Sequence, residues 1–107
     1  MSYSPGMEQI KVEDRDTARW LILSGEWDQP DVLQLKAEYD SAIEGAQHDV
    51  VVDLGGVSFI GTLGIGLLLT TRKKVLQRGA DMKLANIPGA VMKSLEAMSL
   101  DQVFDVA

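Results

Sequence analysis

The chain has 107 residues, 46% of them hydrophobic and 24% charged, which is enough for one domain with its own core and too few for two. Its net charge of -6 offers nucleic acid and anionic membranes no general basic surface, and the absence of cysteine excludes a disulfide framework, a thiol nucleophile and a thiolate metal site. Met1–Gln9 lacks a charged segment followed by an apolar run, and no apolar stretch approaches the ~18 residues of a membrane span, so a cytoplasmic protein without membrane insertion is expected.

Residues 1–6, MSYSPG, read as a flexible tail before a single domain over 7–107. Ile10 and Val12 predict a short first strand that ends at a charged turn, Glu13 to Asp16. A second strand is expected over Ala18–Ser24, where Trp20, Ile22 and Ser24 alternate with Arg19, Leu21 and Leu23, and it should pair antiparallel with the first. After Gly25-Glu26-Trp27-Asp28, Pro30 suits the first turn of a helix capped by Asp28 or Gln29. Val32, Leu35, Tyr39, Ala42 and Ile43 recur at spacings of three and four, so this face packs on a sheet while Lys36, Glu38, Asp40 and Glu44 meet water. Gly45 closes the helix.

Val50, Val51, Val52 and Leu54 form a β-branched run between His48-Asp49 and Gly55-Gly56, which predicts a central strand followed by a turn that holds Ser58. From Leu63 the positions Ile65, Leu68, Leu69, Val75 and Leu76 keep helical spacing, and Arg72, Lys73, Lys74, Gln77 and Arg78 fill the last turns, where positive charge complements the dipole. Gly79 fits the C′ position. Thr62, at the threshold, is either an ordinary N-cap or a hydroxyl placed where free helix N–H groups and the dipole would stabilise a phosphate. Gly64 and Gly66 each weaken a helix by roughly 1 kcal/mol, and they are expected to keep the first turn bare so that another backbone can approach. The spacing of Gly61, Gly64 and Gly66 matches neither a dinucleotide fingerprint nor a P-loop, and no lysine follows until Lys73.

Asp81–Ile87 predicts a further strand and Asn86–Gly89 a turn. Val91, Leu95 and Met98 mark the apolar side of a third helix, and Val103–Val106 a short edge strand. This order implies an α/β domain with a mixed sheet of four to five strands and crossover helices. Asp28 and Asp53 are the only carboxylates near strand ends that could flank Thr62, and neither has a nucleophile, metal partner or base to complete a catalytic pair. His48 is the sole histidine and belongs to a turn. The inventory predicts a binding protein, not an enzyme, with no cofactor and no metal. Trp20, Trp27 and the five methionines are core candidates, Trp27 being the one expected to stay partly exposed.

The succession Gly-Glu-Trp-Asp at 25–28, Val-Val-Val-Asp-Leu-Gly-Gly-Val-Ser-Phe at 50–59 and Thr-Leu-Gly-Ile-Gly at 62–66 resembles the STAS family, and within it the bacterial anti-sigma factor antagonists. The resemblance runs over nearly the whole chain. It implies a STAS-like domain that binds an anti-sigma factor serine/threonine kinase and is released when that kinase phosphorylates the first hydroxyl of an Asp-Ser-Ser/Thr-Gly-Leu-Gly motif, a phosphatase reversing the step. By position the acceptor falls on Thr62, and Asp28, Ser58, Gly61, Leu63 and Gly64 fall on the partner-binding surface. Gly61 stands where the motif has Asp, and Leu63 where it has a second Ser or Thr. Those two departures keep a second reading open, a non-switching STAS subunit of a lipid-transport ABC complex or of a stress-sensing scaffold.

Overall fold

The structure, a computed structural model, describes residues 9–45 and 48–107, the side chains of 29–35 excepted. The expected tail at 1–6 lies outside the described residues. Strands β1 (Ile10–Arg15) and β2 (Ala18–Trp27) pair antiparallel through the two-residue turn Asp16-Thr17, where Asp16 adopts φ 51°, a conformation that aspartate tolerates. The turn expected at Glu13–Asp16 is therefore corrected. Glu13, Asp14 and Arg15 continue the strand because each has a β2 partner, and their charges stay in water as the pairs Arg15–Glu13 and Arg19–Asp14, both at 2.7 Å.

Helix α1 (Gln29–Gly45) leads to β3 (Asp49–Ile60), α2 (Thr62–Gln77), β4 (Met82–Ala85), α3 (Gly89–Ala97) and β5 (Asp105–Val106). The five strands lie in the order β1-β2-β3-β4-β5, antiparallel only between β1 and β2 and parallel elsewhere, so the mixed α/β sheet with crossover helices is as expected. Among the described residues no helix is long and apolar enough to cross a membrane.

The alternation in β2 and β3 sends Leu21, Leu23, Val50, Val52 and Leu54 into one core with Tyr39 and Ile43 of α1, Ile65, Leu68 and Val75 of α2, and Val91 and Leu95 of α3. The side chains of Val32 and Leu35, expected in that core, are among those not described. Met98 departs from expectation. The helix ends at Ala97, so Met98 leaves the buried stripe as the C-cap and is 45% exposed.

Two ties align α1 and α2 side by side. Midway, the buried Thr71 hydroxyl shares a hydrogen bond of 2.8 Å with the Tyr39 hydroxyl and lies 2.7 Å from the Leu67 carbonyl oxygen, while burial pushes the Tyr39 phenol above its ordinary pKa. At the far end the last turn of α1 has no basic residue, and arginines from elsewhere satisfy its orphan carbonyls: Arg19 Nη1 donates to Ala42 at 3.0 Å and Arg78 Nη1 to Ile43 at 2.8 Å. The helices therefore run parallel, and their N-termini meet at the opposite end. Gly79 follows α2 with φ 84° and donates to the Leu76 carbonyl, the C′ geometry expected of it.

Candidate functional site

The site is built where β2 and β3 outrun β4. Ala85 of β4 is opposite Asp53, and beyond that point β3 continues beside β2 as far as Ile60. The expected end of this strand at Gly55-Gly56 is therefore corrected, and with it the position of Ser58, which is an exposed strand residue and not part of a turn. Two register shifts, between Ile22 and Ser24 and between Gly25 and Glu26, each admit an extra residue on β3. A β-carbon on Gly56 would lie 2.9 Å from Ser24 Cβ and 3.1 Å from the Leu23 carbonyl oxygen, so this glycine marks a bulge and a close strand approach. Gly25, opposite the second bulge, has φ 86°. Gln9 Nε2 stitches this stretch by donating to the carbonyls of Ser24 and Glu26 at 3.1 and 3.3 Å.

The second bulge changes which side chains face out. Val57 and Ile60 are buried, and the two residues between them, Ser58 and Phe59, are both exposed. Phe59, 48% exposed, is a feature the sequence reading missed. Alternation carried on from Leu54 would bury Ser58 and alternation carried on from Val57 would bury Phe59, so only the bulge exposes the two together.

Gly61 then stops the strand and starts α2. Its N–H donates to the Trp27 carbonyl at 2.8 Å, its carbonyl accepts the first helical bond from the Ile65 N–H at 3.0 Å, and its backbone is extended at φ -101°. Gly61 is thus the N-cap, and Thr62 is the first helical residue, one place beyond the cap position considered for it. A β-carbon at 61 would lie 2.9 Å from Asp28 Cβ, so the close approach of Asp28 favours glycine in that cap. With glycine in the cap, no side-chain oxygen among the described residues accepts from the first turn of α2, and Thr62 is exposed beside those donors.

Asp28 directly precedes α1 and touches Gly61, so the positive ends of two helix dipoles adjoin next to Thr62. The structure therefore brings Asp28, Gly61, Thr62 and Leu63 together, with Ser58 and Phe59 on the adjoining strand. Leu63 is 38% exposed.

Gly64 is a correction. A β-carbon there would lie 2.5 Å from the Trp27 carbonyl oxygen and 2.8 Å from Ile60 Cγ1, so the backbone that approaches this buried glycine belongs to the chain itself. It supports the site from beneath and is not a surface contact. Gly66, by contrast, has open space around it. Trp27 is also corrected: it is 1% exposed, donates from Nε1 to the Ser24 carbonyl at 2.9 Å, and meets the Tyr39 ring edge-on with centroids 6.2 Å apart.

Asp53 does not flank Thr62. Its Oδ1 accepts from the Gly55 N–H at 2.9 Å and its Oδ2 from Asn86 Nδ2 at 3.0 Å, which pins the first bulge to the end of β4. His48 lies at the other end of the sheet, beside a hollow of about 350 Å³ that it lines with Thr17, Asp49 and Arg78, and none of these belongs to the site.

A family model described as "Mlab, STAS domain" matches residues 10–105. The chain is 25% identical over 99 residues to an anti-sigma F factor antagonist of Paenibacillus polymyxa, covering 92% of this chain and 85% of that protein. An anti-sigma factor antagonist from Mycobacterium paratuberculosis shares the fold with a TM-score of 0.81 at 25% identity, over 91% of this chain and 82% of that one. The phosphorylated form of the Bacillus cell fate determinant SpoIIAA does so with a TM-score of 0.68 at 23% identity, over 92% and 90%.

Proposed function

Because the chain belongs to the STAS domain family, we propose that it is an anti-sigma factor antagonist, a regulatory binding protein whose affinity for an anti-sigma factor kinase is set by phosphorylation of Thr62. The observation that carries this reading is the exposed Thr62 hydroxyl at the first residue of an uncapped helix, where two helix N-termini adjoin. A phosphate there would bring roughly -1.5 to -2 charges beside N–H groups that have no side-chain acceptor among the described residues, so the fold should accommodate it. The partner surface would not. The exposed ring of Phe59 and side chain of Leu63 flank the hydroxyl, and an interface matched to them would have to desolvate the dianion beside the Asp28 carboxylate.

Ser58 is a neighbouring hydroxyl that lies within the strand and away from the first helical turn. Thr70 donates to the Gly66 carbonyl at 2.9 Å, and Thr71 is buried. Thr62 is the hydroxyl in this region that joins exposure to free helix donors. A phosphatase would restore the binding form.

The test is to incubate the chain with the purified anti-sigma factor kinase of the same organism and ATP, then map phosphate by mass spectrometry. Phosphate on Thr62, full binding by Thr62→Ala and a loss of binding of about a hundredfold in Thr62→Glu are expected, a change of ~2.7 kcal/mol. Phosphate on another residue, or full-strength binding by Thr62→Glu, would overturn the switch. The glycine at 61 and the exposed Phe59 and Leu63 also suit a constitutive apolar contact, which favours the non-switching subunit as the second reading. A chain that stays unmodified and co-purifies with an ATPase and a permease would support it.

A further inference from the structure

Strand β1 is an edge of the sheet, and among the described residues only β2 pairs with it. The Ser24 N–H donates to the Gln9 carbonyl at 3.0 Å across that pair, which fixes the alternation of the ladder. Gln9, Lys11, Glu13 and Arg15 turn their backbone groups to β2, and Ile10, Val12 and Asp14 turn theirs to the open side. The side chains alternate as well. Lys11, Glu13 and Arg15 share one face, where Glu13 meets both cations, and Val12 stands on the other face, 42% exposed.

Charges commonly protect such an edge from pairing. Here their order admits one self-pairing and opposes its neighbours. An antiparallel second β1, related by a two-fold axis through Val12, sets Val12 opposite Val12 and each Lys11 opposite Glu13 of the second copy. The open-side N–H groups of Ile10, Val12 and Asp14 in each copy then donate to the open-side carbonyls of the other. Sliding one strand by two residues is the smallest step that keeps those groups facing. It brings Lys11 against Lys11 in one direction and Glu13 against Glu13 in the other.

We infer that β1 is a self-association edge, and that its occupant is β1 of a second copy of this chain, which makes one continuous sheet across both. The inference goes beyond the Thr62 reading and does not depend on it. Strand β2 separates β1 from β3, the strand that leads to Thr62, so Phe59, Thr62 and Leu63 lie outside the contact. The backbone bonds and the covered pair of Val12 side chains supply the affinity, while exposed ion pairs, each worth little, select the register. A contact one short strand long is far smaller than a standard interface, so the dimer should be weak and form between about 10 µM and 1 mM.

The test is analytical ultracentrifugation of the full chain over that range, joined to oxidative crosslinking of single-cysteine variants, which the cysteine-free sequence allows. The two Cα atoms at 12 would be about 5.5 Å apart, within disulfide reach, whereas Asp14 would stand opposite Ile10. Val12→Cys should therefore crosslink at least about tenfold faster than Asp14→Cys. Lys11→Glu should weaken the dimer by about fivefold or more at low salt, and Lys11→Glu combined with Glu13→Lys, which conserves net charge, should recover it. A monomer at every concentration, faster crosslinking at 14 than at 12, or a dimer indifferent to the charge reversal would overturn the inference.

Discussion

Gly64 and Gly66 sit two residues apart in one helical turn and answer to different constraints. Gly64→Ala would improve intrinsic helix propensity by up to about 1 kcal/mol, yet its methyl would enter the space of the Trp27 carbonyl. A backbone oxygen in a packed strand cannot step aside as a flexible side chain can. A net loss of about 1–3 kcal/mol is therefore expected by urea denaturation, and Gly66→Ala should instead gain a few tenths to about 1 kcal/mol. Equal shifts in the two variants would contradict the packing described for Gly64. Thr71→Val tests the other buried contact: it leaves the Tyr39 hydroxyl without its partner in a dry core and should cost about 1–3 kcal/mol. The sequence shows both glycines but not which of them the fold has already claimed, because the claimant, Trp27, lies far away along the chain. Thr62 was legible for the opposite reason, since strand, glycine, hydroxyl and apolar helix stand next to one another. Its position one residue inside the cap was not, because a glycine carries no side-chain cap for the sequence to show.

The strands show what periodicity can and cannot convey. Ala18–Ser24 was readable by alternation and Val50–Leu54 by its β-branched run, while the continuations to Trp27 and Ile60 were not, because a bulge breaks the regular pattern that identifies a strand. Glycines at 55 and 56 signal a turn locally, and β2 converts them into a strand by pairing alongside. The candidate surface, Ser58 and Phe59 above all, exists only because of that pairing. The β1–β2 hairpin was misread at its turn for a related cause, since charged residues on a solvent-facing ladder look like a loop. Its carboxylates carry a testable consequence. The Arg19 guanidinium holds Asp14 below its ordinary value of 3.8, and Arg15 and Lys11 hold Glu13 below 4.5. Depressed folded values mean that this stabilisation is present above those ordinary values and is lost as pH falls through the lower, folded ones. Asp14→Asn should therefore lower the melting temperature slightly at pH 7 and low salt, and converge with wild type near pH 2, where both are protonated or neutral. A gap independent of pH would show that the ion pair does not contribute.

At the scale of the molecule, the alternation of strands and helices was enough to foresee a mixed α/β sheet, because parallel strands joined by amphipathic helices have few other ways to bury their apolar faces. The core is one continuous cluster from Ile10 to Phe104. Unfolding should accordingly be a single transition, with the fluorescence of buried Trp27 and far-ultraviolet circular dichroism giving coincident curves. Separate midpoints would mean that α3 and β5 melt apart from the rest. The same continuity bears on how a signal can be carried. The two helices that meet at Asp28 and Gly61 are fastened at mid-length by Thr71 and Tyr39 and at their far ends by Arg78, while Arg19 of β2 ties the end of α1 to the sheet, so neither can slide against the other without breaking buried or charge-assisted bonds. A phosphate written at Thr62 would thus find no lever to pull. On the proposed reading the protein would behave as a stamped token: its outline would stay constant, only the charge on its face would be rewritten, and the tempo of the signal would belong to the enzymes that write and erase it and not to any motion of the token.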